Sequence, residues 1–438
     1  MSINNVNIFW FRRDLRLEDN AGLFYALKQP DPVQPVFIFD TAILSELEDR
    51  QDKRVLFIHA AITRLQNELR QMGSTLDVRI GKPVAVFKEL VNTYSIGAVF
   101  FNHDYEPYAR ERDSEIYSFL QSENITVHHF KDQVIFEKNE VIKSDNTPYT
   151  VYTPYANKWK SQLNDFYLRS YPSASCLHRL YKQAELPLPS VDQLGFEEAA
   201  TDFPAAAFDE KLIADYHQTR DFPATDGTSK LGLHLRFGTI SIRRLARFAL
   251  KTNATYLNEL IWREFFQMIL WHYPDVVAQS FKKDYDNIRW RNQEQEFEAW
   301  CKGETGYPLV DAGMRELNQT GYMHNRVRMV TASFLCKHLL IDWRWGEAYF
   351  AKKLLDYDLA SNNGNWQWAA GSGCDAAPYF RVFNPTLQLK KFDPQLKYVK
   401  RWVPEFGTNK YPAPIVDHDM ARKRALEVYG KALKEKVS

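Results

Sequence analysis

The sequence has almost no net charge: 56 lysines and arginines stand against 55 aspartates and glutamates, for a formal +1. That excludes a strongly basic coat for nucleic acid, so any affinity for a polyanion must come from where the charges sit. Cysteine is scarce as well. Cys176, Cys301, Cys336 and Cys374 lie far apart, without CxxC spacing and without paired histidines at ligand intervals. A disulfide scaffold and a zinc site are thereby excluded, and no metal is expected. Long apolar runs are missing too. The opening MSINNVNIFWFRRDLRLEDN puts arginines directly after a short apolar stretch, the pattern of neither a signal peptide nor a membrane span. A cytoplasmic protein without membrane contact is expected. No internal repeat or low-complexity tract interrupts the 438 residues, a length that accommodates two or three domains.

What is present falls into three stretches. β-rich runs recur at Val6–Phe11, Val33–Phe39, Thr75–Ile80, Ala98–Phe101 and Thr126–His128, with helical patterns at Asn20–Leu27, Lys53–Gly73, Pro83–Thr93 and Ala109–Gln121 between them. Strands alternating with helices predict an α/β domain over 1–130, with a doubly wound, mostly parallel sheet. No G-x-G-x-x-G follows the first strand, so this is not a dinucleotide-binding half. Periodicity fades over 131–204, where PYTVYTPYANKW and PLPSVDQLG read as an interdomain connector. From 205 to 438 the pattern is helical, clearest at Tyr256–Tyr273, Tyr307–Gly321, Asn325–Leu340 and Trp345–Leu355.

Four segments of the helical stretch carry chemistry. After Leu355 come Asp356, Tyr357, Asp358, Asn362, Trp366 and Trp368, a polar loop with two carboxylates, an Asn cluster and two indoles. Gly227-Thr228-Ser229-Lys230-Leu231-Gly232 offers hydroxyls, backbone N–H groups and an ammonium, donors that suit a pyrophosphate. In NELIWREFF, Glu259, Trp262 and Phe266 fall at i, i+3 and i+7 on one helical face. In MHNRVRM, Asn325, Arg326 and Met329 share one face and Arg328 takes another. Each has an ordinary structural reading: a cap, a turn, or core.

Taken together these segments, with FWFRRDLRLEDN, GSGCDAAPYFRVFNP and YPAPIVDH, resemble the photolyase/cryptochrome family over nearly the whole chain, and within it the class I cyclobutane pyrimidine dimer branch. The resemblance implies a sheet domain followed by a helical domain that binds FAD, whose working form is reduced and anionic. It implies that Tyr216, Thr228, Ser229, Lys230, Leu231, Gly232, Tyr256, Arg328, Asp356, Tyr357, Asp358 and Asn362 hold the cofactor. Relatives usually carry Ser where Gly232 stands. Arg328 is expected to pair with Asp356, and Asn362 to lie beside the reactive flavin nitrogen as a neutral amide. Trp366, Trp343 and Trp290, 23 and 53 residues apart, match an electron relay from the surface. The catalytic set implied is Glu259, Asn362 and that relay.

The substrate implied is DNA containing cyclobutane pyrimidine dimers, taken up as a flipped dinucleotide between stacking faces. Arg220, Glu259, Trp262, Arg263, Phe266, Asn325, Arg326, Met329, Trp368 and Arg381 are expected to contact it, with Lys390 and Lys391 as further phosphate partners. His234 and His324 are read as structural. The alternative within the family is a cryptochrome that signals without repair; the complete substrate face, and a chain that ends about 20 residues after YPAPIVDH, favour repair. The family also allows a second, light-harvesting chromophore in the sheet domain. Here the loop around Glu106, Tyr108 and Ala109 departs from the folate pattern and resembles the deazaflavin-binding relatives more, with a flavin or an empty site as the alternatives. A monomer is expected.

Overall fold

A strand that is apolar on both faces needs cover on both, and the first strand has it. The computed structural model, which describes residues 5–434, places β1 (Val6–Phe11) and β2 (Val33–Asp40) with every residue buried. β3 (Asp77–Gly81), β4 (Ile96–Asn102) and β5 (Thr126–Phe130) complete a five-stranded sheet in the order β3-β2-β1-β4-β5. All four pairings are parallel, which requires crossover connections through helices. Edge strand β5 is TVHHF, largely open to solvent, and polar edges resist further strand addition. The crossover helices start where their residues demand. Asn20 caps Ala21–Leu27 through the Leu23 N–H, Asp52 caps Lys53–Gln71, and Pro83–Thr93 and Pro107–Ser122 begin on proline, which lacks the N–H that a helix start leaves unpaired. The strands and helices lie within a few residues of the predicted ones.

The chain forms two compact units: one of Met1–Glu140, Ser161–Phe208 and Lys230–Lys251, the other of Val141–Lys160, Asp209–Ser229 and Thr252–Ser438. This differs from the expected 1–130, 131–204 and 205–438. Residues 230–251 join the sheet unit because Arg243, on the helix Ile242–Thr252, is buried against Asp19 (2.9 Å) and Asp132 (2.8 Å). Arg16 reaches the same Asp132 at 2.7 Å. Burial alone would push the Asp132 carboxyl up, but the two guanidiniums outweigh it and hold it below its usual range. Of the expected connector, Tyr152–Gln162 is a helix, and residues 141–160 belong to the second unit.

That unit is helical. Ala254–His272, capped by Asn253, is joined by Pro308–Thr320, Asn325–Ser333, Trp343–Lys353 and Leu359–Ala370. Its core gathers Trp300, Met314, Leu317, Val327, Phe334, Leu335, Trp343, Phe350 and Trp366. Two expectations are corrected. The predicted helix Asn325–Leu340 is α-helical only to Ser333; Phe334–Leu339 widens into a π-turn that ends at Leu340 in the left-handed region, φ 53°. The polar loop from Asp358 is a helix from Leu359 onward, with Asp358 as its cap. Among the described residues, no helix is long and apolar enough to cross a membrane.

Candidate active site

Asp358 accepts the Ser361 N–H at 3.0 Å and so fixes where the Leu359–Ala370 helix begins. From that start, Ser361, Asn365 and Trp368 fall at i, i+4 and i+7 on one face. The same face meets Asn325 and Met329, one turn apart on Asn325–Ser333. These five residues form a wall common to two cavities.

The first cavity is lined also by Arg328, Asp356, Tyr357, Asp358, Asn362 and Trp366. Arg328 grips both oxygens of Asp356 at 3.0 and 3.1 Å and donates through Nε to the Met323 carbonyl at 2.7 Å. Asn362 donates both amide hydrogens to Glu347, at 2.8 Å to the carboxyl and 3.2 Å to the backbone carbonyl. Burial raises the Glu347 carboxyl, and the Asn362 bond partly offsets the rise. With both hydrogens committed, only the Asn362 oxygen remains for a cavity ligand.

The second cavity adds Arg220, Glu259, Trp262, Arg263 and Phe266 to the common wall. Glu259 accepts from Arg220; burial raises its carboxyl and Arg220 opposes that. Trp262 lies flat on Tyr152, ring centroids 3.6 Å apart and planes 4° from parallel. Tyr152 is held in turn by its hydroxyl to the Asn258 carbonyl at 3.0 Å. Phe266 backs Trp262 at 5.5 Å.

Not every expected residue reaches these cavities. Arg326 is not among the lining residues; its guanidinium pairs with Asp221 at 2.7 Å and lies 4.4 Å over the Phe392 ring. The shared face expected of Asn325, Arg326 and Met329 therefore divides: Asn325 and Met329 line both cavities and Arg326 lines neither. Arg381 is exposed and outside both linings. Lys390 and Lys391 lie in the last turn of Pro385–Phe392. The hydroxyls of the cofactor set form their own cluster: Thr228 meets the Tyr322 hydroxyl at 2.9 Å, Ser229 meets that of Tyr256 at 2.8 Å, and the Tyr216 ring abuts Tyr256. Lys230, Leu231 and Gly232 fall in the sheet unit, where Lys230 takes φ 53° and Leu231 is buried, so Leu231 has only backbone to offer.

Trp366 and Trp343 are buried at 2% and 1% exposure in the helical core, and half-buried Trp290 packs against it. The rings touching Trp366 are Phe350 (4.9 Å) and Trp300 (6.1 Å), and Trp290 meets Tyr429 at 5.9 Å. His324 caps its helix through Nδ1, and His234 bonds Thr239 and the Pro204 carbonyl. In the sheet unit, Glu106 is taken by Arg13 and Arg236, Tyr108 by Asp40, and Ala109 is buried.

Sequence reasoning misses Tyr152, Glu347, Ser361 and Asn365. The i, i+4, i+7 spacing of Ser361, Asn365 and Trp368 is a usable signal; Tyr152 and Glu347 leave none.

The DNA photolyase family profile matches residues 7–176, and the FAD binding domain of DNA photolyase matches 256–409. A deoxyribodipyrimidine photo-lyase of Synechococcus sp. is 37% identical over 96% of both chains. The chain belongs to the DNA photolyase family. Within it, the archaeal photolyase of Sulfolobus tokodaii, solved with two FAD molecules, superposes with a TM-score of 0.83 at 36% identity over 97% of this chain and all of that one. A cryptochrome of Synechocystis sp. gives 0.85 at 26% identity, over 98% of this chain and all of that one. The family fold thus serves repair and cryptochrome proteins alike, and the site has to separate them.

Proposed function

We propose that this chain is a deoxyribodipyrimidine photolyase that uses bound FAD and light to split cyclobutane pyrimidine dimers in DNA. The observation that carries this is the common wall. Asn325, Met329, Ser361, Asn365 and Trp368 bound both a cavity suited to a flavin and a cavity suited to a pair of stacked bases.

The cavity beside Asp356 suits the cofactor by its donors and acceptors. Asp356 and Asp358 offer acceptors for hydroxyls and ring N–H, and Arg328 balances the charge of Asp356. The Asn362 oxygen suits a ring nitrogen that carries hydrogen, as in reduced flavin. Thr228, Ser229 and Tyr256 supply hydroxyls for the remainder of the cofactor. Reduced FAD, when bound, supplies a light-excited electron that opens the cyclobutane ring and is recovered afterwards.

The protein's own part is placement. Trp262, stiffened by Tyr152, and Trp368 present stacking faces, each contact worth roughly 1–3 kcal/mol per base. Glu259, its carboxyl raised by burial, presents a hydrogen-bonding group to a base edge, and Arg220 and Arg263 stand at the same cavity for phosphate. Trp366, Trp343 and Trp290 serve to resupply electrons. We take the protein to act as a cytoplasmic monomer, with a second chromophore of deazaflavin or flavin type in the sheet unit; light scattering tests the monomer, and the spectrum of released chromophores tests the second pigment.

The deciding test illuminates the reduced, flavin-loaded protein with dimer-containing oligonucleotide and follows thymine absorbance. Dimers should disappear in light and persist in darkness. Retained flavin with no loss of dimers would assign the site to signalling.

A further inference from the structure

Beside the substrate cavity, two guanidiniums and two carboxylates form a small neutral set. Glu259 holds Arg220, and Asp221 holds Arg326 at 2.7 Å while lying 4.0 Å from Arg220 Nε. Asp221 follows the C-terminal end of Glu210–Thr219, and its side chain is about 39% exposed. Arg326 is also confined by the Phe392 ring at 4.4 Å. Its Nη1 meets the Met329 sulfur at 3.7 Å, and its Nε is buried without a hydrogen-bond partner, so the guanidinium is not saturated. Arg220 belongs to the cavity lining, whereas neither Asp221 nor Arg326 does.

Charge logic gives this arrangement a consequence. A chain with a net charge of +1 gains little from long-range attraction, so its phosphate affinity depends on a few arginines near the mouth. If those arginines stood uncompensated, any duplex would be held and damaged sites would compete with undamaged ones. A carboxylate at each guanidinium lowers that background. A phosphate must displace or share the Asp221 contact, and it does so best when stacking and base contacts inside the cavity hold the strand in place.

We propose that Asp221 is a positioning and specificity-determining residue, which occupies Arg326 in the free protein and makes phosphate binding by Arg326 conditional on a flipped pair of stacked bases seated in the cavity. This rests on the DNA reading of the site. Asp221 acts through Arg326 and Arg220 and touches no substrate itself.

The test compares flavin-loaded wild type, Asp221→Asn and Asp221→Glu for binding to one duplex with and without a single dimer, in darkness, across a salt series. Asp221→Asn should bind undamaged duplex about threefold to fivefold more tightly, the scale of one half-exposed ion pair. Its log–log salt slope on undamaged duplex should steepen by about 0.9, one released counterion. The affinity ratio of damaged to undamaged duplex should fall, and Asp221→Glu should restore it. Unchanged or weaker binding of undamaged duplex by Asp221→Asn, with an unchanged slope, overturns the proposal, since a merely structural role would not steepen it. Should Asp221→Asn fail to fold, Asp221→Ser answers the same question. Failure of wild type itself to prefer the damaged duplex would count against the DNA reading and not against Asp221 alone.

Discussion

Asn362 can offer a ligand an oxygen but no hydrogen, because both amide hydrogens go to Glu347. Its direction is thus set by a neighbour on another helix, at a distance of 2.8 Å. Replacing Asn362 with Ala removes one hydrogen bond, typically about 1 kcal/mol, so flavin retention should fall by about fivefold at most. The reduction midpoint of the bound flavin should move more visibly, because the lost oxygen favours the hydrogen-bearing form. Spectroelectrochemistry beside equilibrium release of flavin checks this; a large loss of binding with an unmoved midpoint would contradict it. Asn362, Asp356 and Trp262 stood out in the sequence only through the family resemblance, since alone each reads as a cap, a turn or core. Glu347, Tyr152 and Asp221 did not stand out, since a glutamate on a helix, a tyrosine in an irregular stretch and an aspartate after a helix carry no signal until folding supplies Asn362, Trp262 and Arg326 as partners.

The helix Leu359–Ala370 is the element that a reading of the sequence gets wrong, for a definable reason. SNNGN is poor in helix formers, and Gly in a helix interior costs up to about 1 kcal/mol against Ala. Tertiary packing overrides that preference. A Cβ at Gly364 would lie 2.2 Å from the Phe266 ring, and one at Gly346, on the facing helix, 2.1 Å from Trp366. Both glycines are there to let aromatic rings approach backbone. Gly364→Ala should therefore destabilise despite its better propensity, because overpacking costs about 1–3 kcal/mol and outweighs the gain. Since Phe266 backs Trp262, affinity for dimer-containing DNA should drop as well. Thermal melts and binding to damaged oligonucleotide check both; a variant more stable than wild type would show that the ring gives way freely. The π-turn at Phe334–Leu339 was hidden for a similar reason, because apolar periodicity continues through it while the hydrogen-bond spacing changes. The sheet, by contrast, was readable strand by strand: fully buried β1 and β2 are mostly apolar, broken only by Asn7 in one and by Gln34 and Asp40 in the other, the signature of a parallel sheet covered on both sides.

At the scale of the molecule, sequence order and spatial order part company. A division at one boundary follows composition, whereas the pull of Asp19 and Asp132 on Arg243 is invisible until the sheet has formed. Both units share one vulnerability, to acid, through histidines that the fold keeps neutral. Burial lowers His234, 2% exposed, in the sheet unit. In the helical unit burial and Arg328 lower His324 to about 4, and burial and His418 lower His338 to about 3. A histidine whose value is depressed by folding stabilises fully above its ordinary 6.5 and loses that contribution as pH falls toward the folded value. Between those limits the unfolded chain binds more protons at these histidines, so their contribution to stability declines from about pH 6.5 down to 4. His338 is the most informative of the three: it is wholly buried, its Nε2 meets His418 at 2.8 Å, and its Nδ1 has no partner. Each extra proton taken up on unfolding tilts stability by about 1.4 kcal/mol per pH unit. His338→Phe keeps the stacking seen against Phe334, 4.8 Å away, and removes the proton site. Denaturant melts at steps from pH 7.5 to 4.5 should show wild type losing stability more steeply than this variant, and parallel curves would mean that His338 titrates alike in the folded and unfolded chain.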